Sequence, residues 1–227
     1  MPTQVLAAPV VFFLPHQDDE MILAGTIAKY IKEGKDVKAV MVTDGGASEV
    51  LPGLIKKGFI YLTRTVFVAR RNDEFFRVML KLGVKPENIL FANSGGKAGS
   101  KKPKYRDTLL TPEQAREVIQ NAFERWGEGV YITIAGSAGN SDHPHSDHRV
   151  LELALKNFPV SEKYFYTYQI DKGEAVGLPI DILEKKQQAL AEYFVWEPSR
   201  GKFAIGSRSI PERLEFWQSH PFEYRLK

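Results

Sequence analysis

Val10-Val11-Phe12-Phe13-Leu14 is an unbroken apolar run closed by Pro15. That is the pattern of a parallel strand covered on both faces, since a strand with one wet face alternates. Residues 37–43, 89–92, 130–135 and 164–168 read as further strands. Helical periodicity fills the intervals, most clearly over 113–126, where Ala115, Val118, Ile119, Ala122, Phe123 and Trp126 share one face. Thr111, Pro112 and Gln114 supply that helix with a cap, a first-turn proline and a capping box. Other helices are expected over 19–32 and 65–82, each closed by a glycine, and over 146–157 and 181–194.

Strands alternating with helices predict right-handed crossovers. The expected fold class is α/β, a Rossmann-like doubly wound, mostly parallel sheet with helices on both faces, in a single domain over 1–227. In such a sheet the ligand site lies outside the carboxyl ends of the strands, which is where chemistry should be sought. No internal repeat interrupts the chain. Residues 94–106, with three glycines and five basic residues, read as a long exposed loop, and the tail beyond Trp196 has no clear period.

Composition narrows the chemistry. With 227 residues, 43% of them hydrophobic, the chain can bury a sizeable core. Lys plus Arg (31) barely exceed Asp plus Glu (28), which gives no case for nucleic acid or a membrane as partner. No cysteine is present, so thiolate zinc sites, iron–sulfur clusters and cysteine nucleophiles are excluded, and any metal must be held by His, Asp or Glu. The apolar run near the start is too short to span a bilayer and lacks a basic segment before it, so a cytoplasmic location is expected.

Two constellations fall at expected strand ends. Pro15-His16-Gln17-Asp18-Asp19-Glu20 follows the first strand; in a helical turn His16 and Asp19 converge while Asp18 points elsewhere. Acidic residues also favour a helix N-terminus, the reading preferred for Glu20. The second, Asp142-His143-Pro144-His145-Ser146-Asp147-His148, follows the strand at 130–135. Ser146 or Asp147 could simply cap the next helix. Yet four of the five histidines lie in these two segments, at one edge of the predicted sheet, which favours a metal site; His220 stands apart. Three protein ligands with an open position describe a catalytic site of the kind zinc forms, one that activates water for amide hydrolysis.

Taken together, the motifs resemble the LmbE/PIG-L de-N-acetylases, whose hallmark is His-Pro-Asp-Asp-Glu after the first strand and a later His-x-x-His. Here Gln17 replaces the proline, and His145-Ser146-Asp147-His148 replaces the common His-Pro-Asp-His. Thr43-Asp44-Gly45-Gly46 and the Arg71/Glu74 pair extend the likeness. The resemblance implies His16, Asp19 and His148 as ligands of Zn2+, or of Fe2+ or another divalent ion in the cell. It implies Asp18 as general base, His145 as the group that stabilises the oxyanion or protonates the departing amine, and Asp147 as its tuner. Arg71 would touch substrate, unless it forms an ordinary surface pair with Glu74.

The implied activity is removal of an N-acetyl or longer N-acyl group from a small N-acetylglucosamine-type conjugate. An amidase on another conjugate, a two-metal phosphoesterase and a non-catalytic binder are the alternatives. Ser94-Gly95-Gly96-Lys97 lacks phosphate-loop spacing, and no dinucleotide fingerprint follows the first strand.

Overall fold

The structure, a computed structural model, describes residues 8–94, 104–136 and 146–227. Strands β1 (Val10–Leu14), β2 (Val37–Met41), β3 (Ile89–Phe91), β4 (Val130–Ile134) and β5 (Glu162–Tyr166) run parallel in the order β3-β2-β1-β4-β5. The order reverses between β1 and β4. This is the doubly wound arrangement expected, and its ligand crevice opens beyond the carboxyl ends of those two strands. Among the described residues the sheet is completed beyond β5 by β9 (Phe222–Arg225), antiparallel to β5, and then β6 (Glu174–Gly177), antiparallel to β9, which the sequence pattern had not indicated.

Helices α1 (Ala24–Lys32), α3 (Arg64–Leu82), α6 (Ile180–Leu190) and α8 (Pro211–Ser219) belong to one layer, and α4 (Pro112–Trp126) and α5 (Ser146–Lys156) to the other. The pleat of β1 divides its apolar run between them: Val10, Phe12 and Leu14 enter the first core, Val11 and Phe13 the second. All five are essentially inaccessible, and each contributes about 1.5–3 kcal/mol by burial. A third, smaller cluster joins α2 (Val50–Lys56) to the start of α3, to the hairpin β7 (Trp196–Glu197) and β8 (Lys202–Phe203), and to α7 (Ile205–Ser209). Among the described residues, no helix is long and apolar enough to cross a membrane.

Two expected helices are broken. Residues 19–32 begin as a 3-10 turn, Asp19–Ile22, before α1. Residues 181–194 pass from α6 into a 3-10 turn, Ala191–Phe194. The fifth strand ends at Tyr166, which leaves Thr167 and Tyr168 beyond its carboxyl end. The capping box of α4 forms as expected, and Gly83 closes α3 in the left-handed conformation.

The tail is locked to the front of the molecule by a buried carboxylate. Glu223 of β9 accepts from the Gly25 and Thr26 N–H groups at the start of α1, both at 2.8 Å, and from Thr26 Oγ1 at 2.6 Å. Lys186 Nζ, 3.1 Å away and equally buried, balances its charge. Removing one member of a buried pair strands the other. Glu223→Ala is therefore expected to cost about 3–5 kcal/mol, read as a lower urea midpoint at unchanged slope. A loss below about 1 kcal/mol would show that the tail docks by its apolar contacts alone.

Candidate metal centre

The chain leaves β1 through Pro15 and turns sharply. His16 N–H donates to Asp19 Oδ2 at 2.8 Å, and Asp18 adopts φ 101°, a left-handed conformation that costs a residue with a side chain about 1–3 kcal/mol. The surroundings hold it there. Arg71, reaching from α3, donates to the Gln17 carbonyl (2.7 Å), to Asp18 Oδ2 (3.0 Å) and to the Gly45 carbonyl (2.6 Å). From the other side Glu20 accepts the Asp18 N–H at 3.2 Å and the Tyr193 hydroxyl. Gly45 must be glycine: its φ is 60°, and a Cβ would lie 1.9 Å from Gln17 Oε1.

This turn aims His16 Nδ1 and Asp19 Oδ2 at one point, and the first turn of α5, beyond β4, brings His148 Nε2 to the same point. The three atoms form a triangle with sides of 3.2, 3.0 and 3.2 Å. Tetrahedral ligands at about 2.0–2.1 Å from an ion are separated by about 3.3 Å, so the triangle has the size of one face of a zinc-type site. The balance of charge agrees with a cation. Asp18, Asp19, Asp107 and Asp147 are buried around the His16 and His148 imidazoles and the Arg71 guanidinium.

The partners of the three residues fix their orientation. His16 Nε2 lies 3.1 Å from Asp147 Oδ2 and 3.3 Å from Asp107 Oδ1, so both carboxylates face that nitrogen while Nδ1 faces the triangle. The Tyr168 hydroxyl donates to Asp19 Oδ1 at 2.8 Å, leaving Oδ2 for the centre. Asp147 also accepts from the Thr108 and Leu110 N–H groups, at 2.7 and 3.1 Å. Burial alone would raise the Asp147 carboxyl, but His16 and these N–H donors hold it below the usual carboxylate range. Burial likewise opposes the charged His16 imidazole, yet the surrounding aspartates raise it well above its ordinary value.

Asp18 differs from its neighbours. Burial pushes its carboxyl up to about 7 against the pull of Arg71. Its Oδ2 accepts from Arg71 at 3.0 Å.

Residues 11–158 match the GlcNAc-PI de-N-acetylase (PIG-L) family. The chain belongs to that family. It is 28% identical over 156 residues to a mycothiol S-conjugate amidase from Streptomyces coelicolor, a match that covers 66% of this chain and 52% of the amidase. The chain thus spans about half the length of that relative. The N,N'-diacetylchitobiose deacetylase from Pyrococcus horikoshii, solved with an inhibitor, has the same fold with a TM-score of 0.61 at 21% identity, over 96% of this chain and 83% of that one. So does the 4-carboxy-2-hydroxymuconate hydratase GalB from Pseudomonas putida, with a TM-score of 0.56 at 15% identity, over 92% of this chain and 82% of that one. One fold therefore carries a deacetylase and a hydratase, and the reaction must be argued from the site.

Within this PIG-L chain the structure gathers His16, Asp19 and His148, with Asp18 beside them. His143 and His145 lie outside the described residues, as do Lys97, Lys101 and Lys102. Asp147 is bonded to His16, a partner that the sequence had not pointed to. The surface pair between Arg71 and Glu74 does not form. Both are buried, and Glu74 accepts from the Ile205 and Gly206 N–H groups at 2.9 and 3.1 Å, tying α3 to α7. The Arg71 side chain is 5% exposed and spans Gly45, Gln17 and Asp18. Glu20 is not an exposed helix-end charge but fully buried. Lys104 pairs with Glu117. Sequence reasoning missed Asp107 and Tyr168, whose only advance signal is position after β3 and β5 at the carboxyl edge.

Tyr168→Phe removes a single hydroxyl from the shell around Asp19. It is expected to weaken divalent-metal affinity by about 10-fold or more in a competition titration with a chelator, with the fold intact. Unchanged affinity would mean that the triangle holds its ion without this support.

Proposed function

We propose that the chain is a metal-dependent amidohydrolase that removes the acyl group from a small N-acylated amino-sugar conjugate, with Zn2+ as the ion held by His16, Asp19 and His148. The observation that carries this reading is the triangle of ligand atoms with a carboxylate, Asp18, held beside it and not spent as a ligand. A binder has no use for such a carboxylate.

When bound, a divalent ion would lower the pKa of a water to about 7 and polarise the amide carbonyl. Asp18 Oδ1 would serve as the base that accepts a proton from the water attacking the acyl carbon. Arg71 keeps Oδ2 occupied, so the acceptor oxygen has one orientation. As the amide C–N bond breaks, the acyl group leaves as a carboxylate and the nitrogen needs a proton. By family resemblance His145 supplies it or stabilises the preceding oxyanion, with Asp18 as the other proton carrier. Asp147 and Asp107 act earlier, by fixing the His16 tautomer on which the triangle depends.

The decisive measurement pairs metal content per chain with amine release from a panel of N-acetylglucosamine conjugates. One ion per chain with amine release supports the proposal; phosphate release with two ions would replace it by a phosphoesterase. Asp18→Asn tolerates the left-handed backbone and is expected to lower kcat by about 10²–10⁴-fold while the ion stays bound. Wild-type turnover in that variant would remove Asp18 from the mechanism. Arg71→Lys keeps the charge but loses the fork, and it is expected to lower kcat by about 10–100-fold with little change in KM. A rise in KM alone would instead make Arg71 a substrate contact.

A further inference from the structure

Beside the metal centre, on the same edge of the sheet, α2 and α7 enclose a cleft of about 280 Å³. Its position follows from the network already described. The Ala47 N–H donates to Asp107 Oδ2 at 3.0 Å, and Asp107 Oδ1 is the atom beside His16; Ser48, the next residue, lines the cleft. On the opposite wall, the first N–H groups of α7 are held by Glu74, one turn along α3 from Arg71. The cleft is thus joined to the triangle through Asp107 on one wall and α3 on the other.

Its lining has a definite chemistry. Val50 and Leu54 form an apolar floor, and Lys57, Arg208, Ser48 and Ser209 bring charge and hydroxyls to its sides. The Arg208 guanidinium is held in place: it lies 4.2 Å over the Trp196 ring and donates Nε to the Phe203 carbonyl at 3.2 Å. That leaves its two terminal nitrogens as a fork. No ion pair engages Lys57 or Arg208 among the described residues. Glu49, also at the rim, leaves one net positive charge among the lining side chains.

A second observation points to an occupant. Gly53 stands in the middle of α2, where glycine weakens a helix, and a Cβ built there meets nothing within 4 Å among the described residues. Packing among the described residues does not call for glycine at this position. A bound group passing close to the backbone would.

We propose that this cleft is a specificity subsite for an oxyanion, phosphate or carboxylate, carried on the distal part of the amino-sugar conjugate. Lys57 and the Arg208 fork would meet the oxyanion, and Gly53 would leave room for the chain that bears it. The inference rests on the amidohydrolase reading only in placing the sugar at the triangle.

Binding measured by calorimetry separates the two. Glucosamine 1-phosphate and carboxymethyl glucosaminide are compared with neutral methyl glucosaminide on the metal-loaded protein. At least one anionic probe is expected to bind 10-fold or more tightly than the neutral one, and the preferred probe identifies the oxyanion. Lys57→Glu, at an exposed position, and Arg208→Gln should each erase that preference while binding of the neutral probe is kept. Gly53→Leu should fill the cleft with the same result, without lowering thermal stability.

Equal affinities, absence of binding by both anionic probes, or a preference that survives Lys57→Glu and Arg208→Gln would overturn the subsite. Amine release without charge preference would sink the subsite alone. Charge-selective binding without amine release from any conjugate would sink the amidohydrolase reading alone.

Discussion

Asp18, Asp19, Glu20, Asp107 and Asp147 are all buried at one edge of a sheet, and buried charge is tolerated only when every oxygen has a partner or the group gives up its charge. The rest of the site follows from how that requirement is met. Arg71 serves Asp18 and two loop carbonyls; His16 lies between Asp147 and Asp107; Tyr168 serves Asp19. Glu20 takes the other course: burial raises its carboxyl to about 8, so that near neutrality it tends to hold its proton beside Tyr193.

Backbone strain is concentrated in the same network. Among the described residues, Asp18, Thr108 and Ala204 are the non-glycine residues with positive φ. Asp18 flanks the triangle, and Thr108 gives its N–H to Asp147. Ala204 precedes the two N–H groups that Glu74 holds. Such conformations persist only where the surroundings over-determine them, and they fix these side chains without the mobility of an ordinary loop. The apolar layers on both faces of β1 provide the rigid support.

Glu223 extends this order to the tail. By capping the start of α1 from β9, it connects the antiparallel edge of the sheet to the turn that carries His16, Asp18 and Asp19. Residues more than two hundred positions along the chain thereby bear on the geometry of its first motif. The hairpin and α7 do the same for the cleft, because Trp196 and Phe203 hold Arg208 in place.

The sequence by itself determined the parallel core, its strand-and-helix alternation and the edge at which chemistry would lie. Continuous apolar runs and capping residues are local signals, and His16, Asp19 and His148 sit in short motifs beside them. It also carried the family. What it could not carry were relations between distant residues. That Asp147 serves His16, that Arg71 turns inward to Asp18, and that Asp107 and Tyr168 complete the shell depend on loops meeting across the switch point between β1 and β4. The antiparallel edge and the cleft were hidden for the same reason. Neither α2, with its proline and glycine, nor the two-residue strands have a period to read, and their conformation is set by packing on α3.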